Sequence, residues 1–257
     1  MQPLQYHTAE RIAYLTLNRP DKRNALNAAL VTALKEALHR ANLDPDVKVV
    51  VLKANGKAFC AGADLETLQQ LQQNSYAENL ADSGHLAELF ELMYTLPKPI
   101  VAQIQGHALA GGCGLAAICD FSFAVPAAKF GYTEVKIGFV PAIVSAFLVR
   151  KIGEGRAREL LLSGEIIPAE RAQAYGLVNY LVEEDGLESR VNAFARQLCT
   201  GTSGQSVAAT KALLARLPGL SLPASLTLAA ETNAQARATD DCRRGIGAFL
   251  AKEEIQW

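Results

Sequence analysis

The stretch GHALAGGCGLAAICD, Gly106 to Asp120, sets a glycine-rich turn between an apolar run and a short segment with helical spacing. A helix beginning just after such a turn presents N–H groups without intrahelical partners, at the positive end of its dipole. It can stabilise negative charge on an oxygen of a bound molecule. VVVLKANGKAFCAGADL has the same layout as PIVAQIQGHALAGGCGL: an apolar strand, a turn with Ala-Gly, then a helix. Two backbone N–H groups from two such turns, converging on one carbonyl, make an oxyanion hole that needs no side chain. The glycine stretch carries no nucleophilic serine, no P-loop lysine and, at Gly114, no carboxylate, which leaves the acid or base to be identified.

Glu134, in GYTEVKIG, is the strongest carboxylate candidate. Its neighbours Phe130, Tyr132, Val135, Ile137 and Phe139 are mostly apolar, which favours partial burial and a raised pKa. The bland alternative is a surface ion pair with Lys129 or Lys136. Asp120, between the short helix and the next strand, reads as structural. His107, in the glycine turn, either packs with its hydrogen bonds satisfied or faces a pocket. Cys113 and Cys119 lie six apart with no companion ligands, so no metal site is expected. Tyr132, Tyr76 and Glu78 are further candidates to line a pocket.

The elements that must position these groups follow from periodicity. ERIAYLTLNRP alternates and stops at Pro20, which predicts a strand. Leu26, Leu30, Leu34 and Leu38 recur every four residues in a helix for which Asn27 is a suitable N-cap. VKVVVLKA and PIVAQIQ read as buried strands, DFSFAVPAAKFGY as strands, and HLAELFELMYTL as an amphipathic helix. The polar stretch NSYAENLADSG is expected to be mobile. After Pro141 nearly everything has helical spacing. The prediction is an α/β core over residues 1–200 followed by a helical region, 201–257.

Composition narrows the function classes. The 257 residues are 50% hydrophobic, enough for a sizeable core. Net charge is −1 with no basic face, which argues against nucleic acid or an anionic membrane as partner. No apolar run reaches the roughly 20 residues of a membrane span. The five cysteines cannot all pair and read as reduced thiols. The opening MQPLQYHTAERIAYL lacks a basic region followed by an apolar block, so a secretory leader is not expected and a cytoplasmic protein is.

NRPDKRNALN, AFCAGADL, KPIVAQIQGHALAGGCGLAAICD, FGYTEVKIGFVP and SGEIIPAERAQAYGLVN follow one another along the chain. Together they resemble the signature blocks of the crotonase superfamily, the enoyl-CoA hydratases and isomerases. The resemblance covers essentially the whole chain. It implies a spiral of repeated ββα turns, with C-terminal helices that pack into trimers, commonly paired as hexamers. It assigns the thioester oxygen of an acyl-CoA to the N–H groups of Ala63 and Gly111, and the proton at C2 to Glu134. It assigns CoA contacts to Lys22, Arg23, Ala25, Leu26, Ala61 and Asp64, with the adenine near the last two. Lys252 matches a position that reaches CoA from the C-terminal helix, although Glu253 and Glu254 make this tail less basic than usual. CoA enters as part of the substrate, and no separate cofactor or metal is implied.

One position departs from the pattern. Hydratases of this family carry a second glutamate three residues after the oxyanion glycine, where this chain has Gly114. A single glutamate suits a Δ3,Δ2-enoyl-CoA isomerase, in which one base carries a proton between C4 and C2. The continuation TEVKIGFVPAIVSAFLVRKIGEGRA is more similar to the methylglutaconyl-CoA hydratase branch. The resulting order of expectation is a 2-enoyl-CoA hydratase, with a branched acyl chain as one option, then an isomerase. An inactive CoA-thioester-binding scaffold is the reading of another class.

Overall fold

A computed structural model describes residues 2–257. β1 (Leu4–Ala9) and β2 (Ile12–Leu17) form an antiparallel hairpin with Leu4 opposite Leu17. Its turn residues Glu10 and Arg11 take φ of 51° and 66°. Turns of that hand usually carry Asn or Gly, and without that signal β1 was not foreseen. β2 is the expected strand, buried along its whole length. Asn27 caps α1 (Ala28–Leu43) as anticipated, its side chain accepting from Leu30 N at 3.0 Å.

The next segments repeat one layout, each passing from a strand of one sheet to a strand of a second. β3 (Val49–Ala54) leads into β4 (Ala58–Cys60), then α2 (Leu65–Leu71) and α3 (Tyr76–Thr95). β5 (Ile100–Ile104) leads into β6 (His107–Leu109) and α4 (Gly111–Ile118). β7 (Phe121–Ala124) leads into β8 (Lys129–Gly131) and the 3-10 turn Glu134–Ile137. Helices α5 (Ala142–Ile152) and α6 (Glu154–Ser163) precede β9 (Ile166–Pro168), α7 (Ala169–Ala174) and β10 (Tyr180–Leu181). The larger sheet has the order β1-β2-β3-β5-β7-β10, parallel beyond the first pair. The smaller runs β4-β6-β8-β9, with only the last pair antiparallel. This is the crotonase-type ββα spiral that the resemblance implied.

NSYAENLADSG forms the first half of α3, opened by a capping box in which Ser75 and Glu78 each accept from the other's backbone N–H. After Pro141 nearly everything is helical, as expected, apart from the short strands β9 and β10 that complete the two sheets.

α8 (Glu184–Gly201), α9 (Gly204–Arg216), α10 (Leu222–Arg237) and α11 (Asp240–Ala251) finish the chain. Partly buried lysines close several helix ends, where an ammonium complements the dipole. Lys98 donates to Ala41 O and Asp44 O, Lys48 to Cys199 O and Thr202 O, and Lys151 to Cys119 O. Asp120 is structural, as expected: it accepts from Ile100 N at 2.7 Å and pairs with Lys211 of α9 at 2.6 Å.

Candidate active site

The smaller sheet brings the two Ala-Gly turns together. β4 pairs with β6, Cys60 opposite Ala108, so the turn after each strand lies beside the other. Gly62 takes φ 92°, and a Cβ there would sit 2.6 Å from Ala110 Cβ. A Cβ at Gly112 would sit 2.2 Å from Cys60 O. Only glycine allows this approach. Ala110 is held at φ 49° and ψ −129° by its N–H bond to Gly131 O at 2.8 Å, and α4 starts at the next residue.

Leu26 N donates to Gly62 O at 2.7 Å, and Asp64 N donates to Leu26 O at 2.9 Å. These bonds flank Ala63 and leave its own N–H outside the ladder. Among the described residues, neither Ala63 N–H nor Gly111 N–H has a protein acceptor. Both residues line a cavity of about 380 Å³, together with Glu134. Two larger hollows, about 590 and 520 Å³, border α9 and contain neither turn. Size alone does not mark this site.

Glu134 stands in the 3-10 turn after β8. Its Oε2 is buried without a hydrogen-bond partner among the described residues, and it pairs with neither Lys129 nor Lys136. Burial pushes its carboxyl pKa up, and the backbone N–H of Glu134 itself offsets this only in part. A carboxyl so placed can take and return a proton. The other candidates fall away. Tyr76 is 82% exposed, Glu78 caps α3, and His107 is exposed rather than packed. Burial pushes the Cys113 thiol up to about 12, so it is no nucleophile. Tyr132 is fully buried behind the site and does not line it.

The position of the usual second glutamate is filled. A Cβ on Gly114 would lie 2.4 Å from Val144 Cγ1 and 2.9 Å from the Phe90 ring. Phe90 comes from α3 and Val144 from α5, and both are buried.

The anticipated CoA residues divide. Leu26 and Ala61 line the cavity, whereas Lys22, Arg23, Ala25, Asp64 and Lys252 do not. Ala61 N donates to Arg23 O at 3.0 Å, so the segment 22–26 lies directly against 61–64. Lys22 and Arg23 are exposed there, Lys22 paired with Glu66 at 2.7 Å. Ala25 is buried, and Lys252 is exposed at the end of α11 with φ 56°. Asp64 acts as a clasp: its carboxylate accepts from Arg19 Nη2 at 2.7 Å and from Glu66 N at 3.0 Å. Burial alone would raise its pKa, but the hydrogen bonds from Arg19 and Glu66 N–H and the charges of Arg19 and Lys22 outweigh it and hold the carboxyl low.

Sequence reasoning missed Arg19 and Asn24, which fasten this turn. Arg19 also donates to Ala25 O, and buried Asn24, at φ 53°, donates to Asn55 O and Ala58 O. An asparagine inside NRPDKRNAL was a usable signal, because asparagine tolerates the left-handed region better than most residues. Sequence reasoning also missed Asp82 and Ser83, which reach the cavity from the segment expected to be mobile, and His85, which begins the expected amphipathic helix.

Comparison with known proteins agrees with this geometry. The family model described as enoyl-CoA hydratase/isomerase matches residues 7–257. A Thermus thermophilus protein is 43% identical over 241 residues, 94% of this chain and 95% of its own. The 2,3-dehydroadipyl-CoA hydratase of Escherichia coli is 35% identical, covering 98% of this chain and 97% of its own. The crystal structure of an enoyl-CoA hydratase from Mycobacterium smegmatis superposes with a TM-score of 0.94 at 32% identity, covering 100% of this chain and 99% of that one. With its spiral, its paired glycine turns and its half-buried glutamate, the chain belongs to the enoyl-CoA hydratase/isomerase family.

Proposed function

We propose that this enzyme adds water reversibly to a 2-enoyl-CoA, with Ala63 and Gly111 binding the thioester oxygen and Glu134 moving the proton. The observation that carries this reading is the convergence on one cavity of two partnerless N–H groups and one partnerless carboxylate oxygen. Ionised Glu134 takes a proton from water as the water oxygen bonds to C3. The π electrons move to the thioester oxygen, and the enolate is held by the two N–H groups. Each such donor is worth roughly 2.7–4 kcal/mol in a dry site. Glu134 then returns its proton to C2, restoring the carbonyl, so both additions come from one face.

A second reading, Δ3,Δ2-enoyl-CoA isomerase, is favoured by the packing of Val144 and Phe90 at Gly114, which leaves no carboxylate at that place. An inactive acyl-CoA scaffold would keep the N–H pair and show no exchange at C2. A branched, methylglutaconyl-like acyl group rests on the continuation after Glu134 alone.

The remaining assignments are part of the same proposal. Lys22 and Arg23 meet the CoA pyrophosphate. Ala25, Leu26, Ala61 and Asp64 border the rest of CoA, with the adenine near Ala61 and Asp64, and Lys252 reaches CoA across a subunit boundary. Residues 1–200 form the catalytic unit and 201–257 the assembly region of a trimer or hexamer. Exposed Leu222, Leu226, Phe249 and Leu250 of α10 and α11 support that assembly; a stable monomer in sedimentation would refute it.

The activity test supplies crotonyl-CoA and a 3-enoyl-CoA separately, following hydration and double-bond migration as distinct products. Hydration of crotonyl-CoA is expected to dominate. Migration without hydration would give the isomerase reading, and neither would give the scaffold.

A further inference from the structure

Away from the oxyanion turns, the charged groups on the cavity wall are of one sign. Asp82 and Ser83 enter it from α3, Thr67 from α2, and Glu134 from the reacting end, while among the described residues no lysine or arginine lines it. His85 is the one basic ring on the wall, and both its nitrogens are engaged: one lies 3.0 Å from Thr32 Oγ1, the other 3.3 Å from Lys35 Nζ. Lys35 stands behind His85, off the wall, paired with Glu88. Asp82 has no ion-pair partner among the described residues.

The place of Asp82 follows from helix geometry. Phe90 packs where a side chain at Gly114 would begin. Leu86 and Asp82 precede it at four-residue steps on one face of α3, and both line the cavity. Asp82 thus lies two turns beyond the Gly114 position, about 12 Å along the helix. Leu86, Ile143 and Val144 line the same cavity as Ala63, Gly111 and this carboxylate, so an acyl chain gripped at the two N–H groups and following the α3 wall would approach it.

We propose that Asp82 is a specificity determinant that reserves the site for uncharged acyl chains and turns away acyl groups ending in a carboxylate. The inference rests on the 2-enoyl-CoA reading above and names its substrate class. A terminal carboxylate entering here would find no lysine or arginine among the described lining residues and would face a like charge, while the Lys35 ammonium behind His85 is already paired with Glu88. Rejection of a wrong ligand by an unpaired like charge is a general route to specificity. Methylglutaconyl-CoA, which carries a free carboxylate, falls on the rejected side, whereas an uncharged branched chain does not.

The test compares 2-hexenoyl-CoA with 2,3-dehydroadipyl-CoA, which have equal carbon counts and differ by the terminal carboxylate. The ratio of their kcat/KM values is read, since it does not depend on the fraction of active enzyme. The wild type is expected to favour the uncharged thioester by roughly ten- to a hundredfold, the scale of one partly screened charge pair. Asp82→Asn is expected to bring the ratio toward one, Asp82→Lys to reverse it, and added salt to shrink it in the wild type. Binding of hexanoyl-CoA and adipyl-CoA, saturated and therefore unable to add water, is measured alongside. If the wild type turns over neither enoyl thioester yet binds hexanoyl-CoA in preference, the hydratase reading fails and the selectivity stands. A wild-type ratio near one, or a ratio unmoved by Asp82→Asn, overturns the proposal.

Discussion

Gly114→Ala probes the packing that separates this site from a two-carboxylate one. The added Cβ would lie 2.4 Å from Val144 Cγ1 and 2.9–3.0 Å from two atoms of the Phe90 ring. Val144 is β-branched and 5% exposed, and Phe90 is fully buried, so neither yields easily. Overpacking of this kind costs about 1–3 kcal/mol. Alanine returns about 1 kcal/mol through helix propensity, leaving a net destabilisation of about 0–2 kcal/mol. Val144→Ala opens the space, so the double variant should be more stable than the sum of the single effects by about 1–2 kcal/mol. Urea unfolding of the four proteins, with unchanged slopes, measures this coupling. Strict additivity of the two substitutions would refute the claim that Val144 and Phe90 fill the place of a second carboxylate. It also follows that Gly114→Glu alone cannot install that carboxylate, whereas Gly114→Glu with Val144→Ala has room to begin.

Ala110 sits at φ 49°, a conformation that strains a residue with a Cβ. Ala110→Gly should relieve roughly 1–3 kcal/mol of strain against roughly 0.5–1 kcal/mol of added chain entropy, raising stability by about 1 kcal/mol in urea unfolding. Turnover should fall, because this residue aims the Gly111 N–H. Asp64→Asn breaks the clasp with Arg19 and should cost about 3 kcal/mol at neutral pH. The folded pKa of Asp64 is lowered, so its contribution is present above the unfolded value of about 3.9 and lost as pH falls through the folded one. Stability curves of wild type and Asp64→Asn should therefore converge as pH drops below about 4; parallel curves would contradict the role of the clasp.

The reacting end of the site was the most legible part of the sequence, because small residues at turns leave few alternatives. Ala63 and Gly111 stand beside glycines whose lack of a side chain lets one turn enter the other. Glu134 was legible from its apolar neighbours, and its burial bears out the raised pKa they suggested. The acyl end was not legible. Its wall comes partly from α3, whose first half reads as a polar stretch without a helical signal because Asn74, Ser75, Glu78, Asn79, Asp82 and Ser83 mask the repeat. The Ser75–Glu78 capping box was the available signal and went unread. The plug at Gly114 was beyond any reading along the chain, since Phe90, Gly114 and Val144 meet only when α3, α4 and α5 pack. Lys22 and Arg23 remain where sequence left them, exposed on a turn beside the site.

The central claim is that one carboxylate, Glu134, moves the proton in a site whose oxyanion hole is pure backbone. Its most direct test is exchange of the C2 proton of a saturated or 3-hydroxyacyl-CoA in deuterated water, with product formation, for wild type and Glu134→Gln. Glutamine keeps the shape and cannot cycle a proton. Acyl-CoA binding should survive while exchange and hydration fall together by about 10²–10⁴-fold. In the wild type, the acid limb of kcat/KM for hydration should lie above the ordinary glutamate value of about 4.3, because burial raises the Glu134 pKa and the reaction needs its ionised form. A Glu134→Gln protein that exchanges C2 deuterium at near wild-type rates would contradict the account, whatever its family.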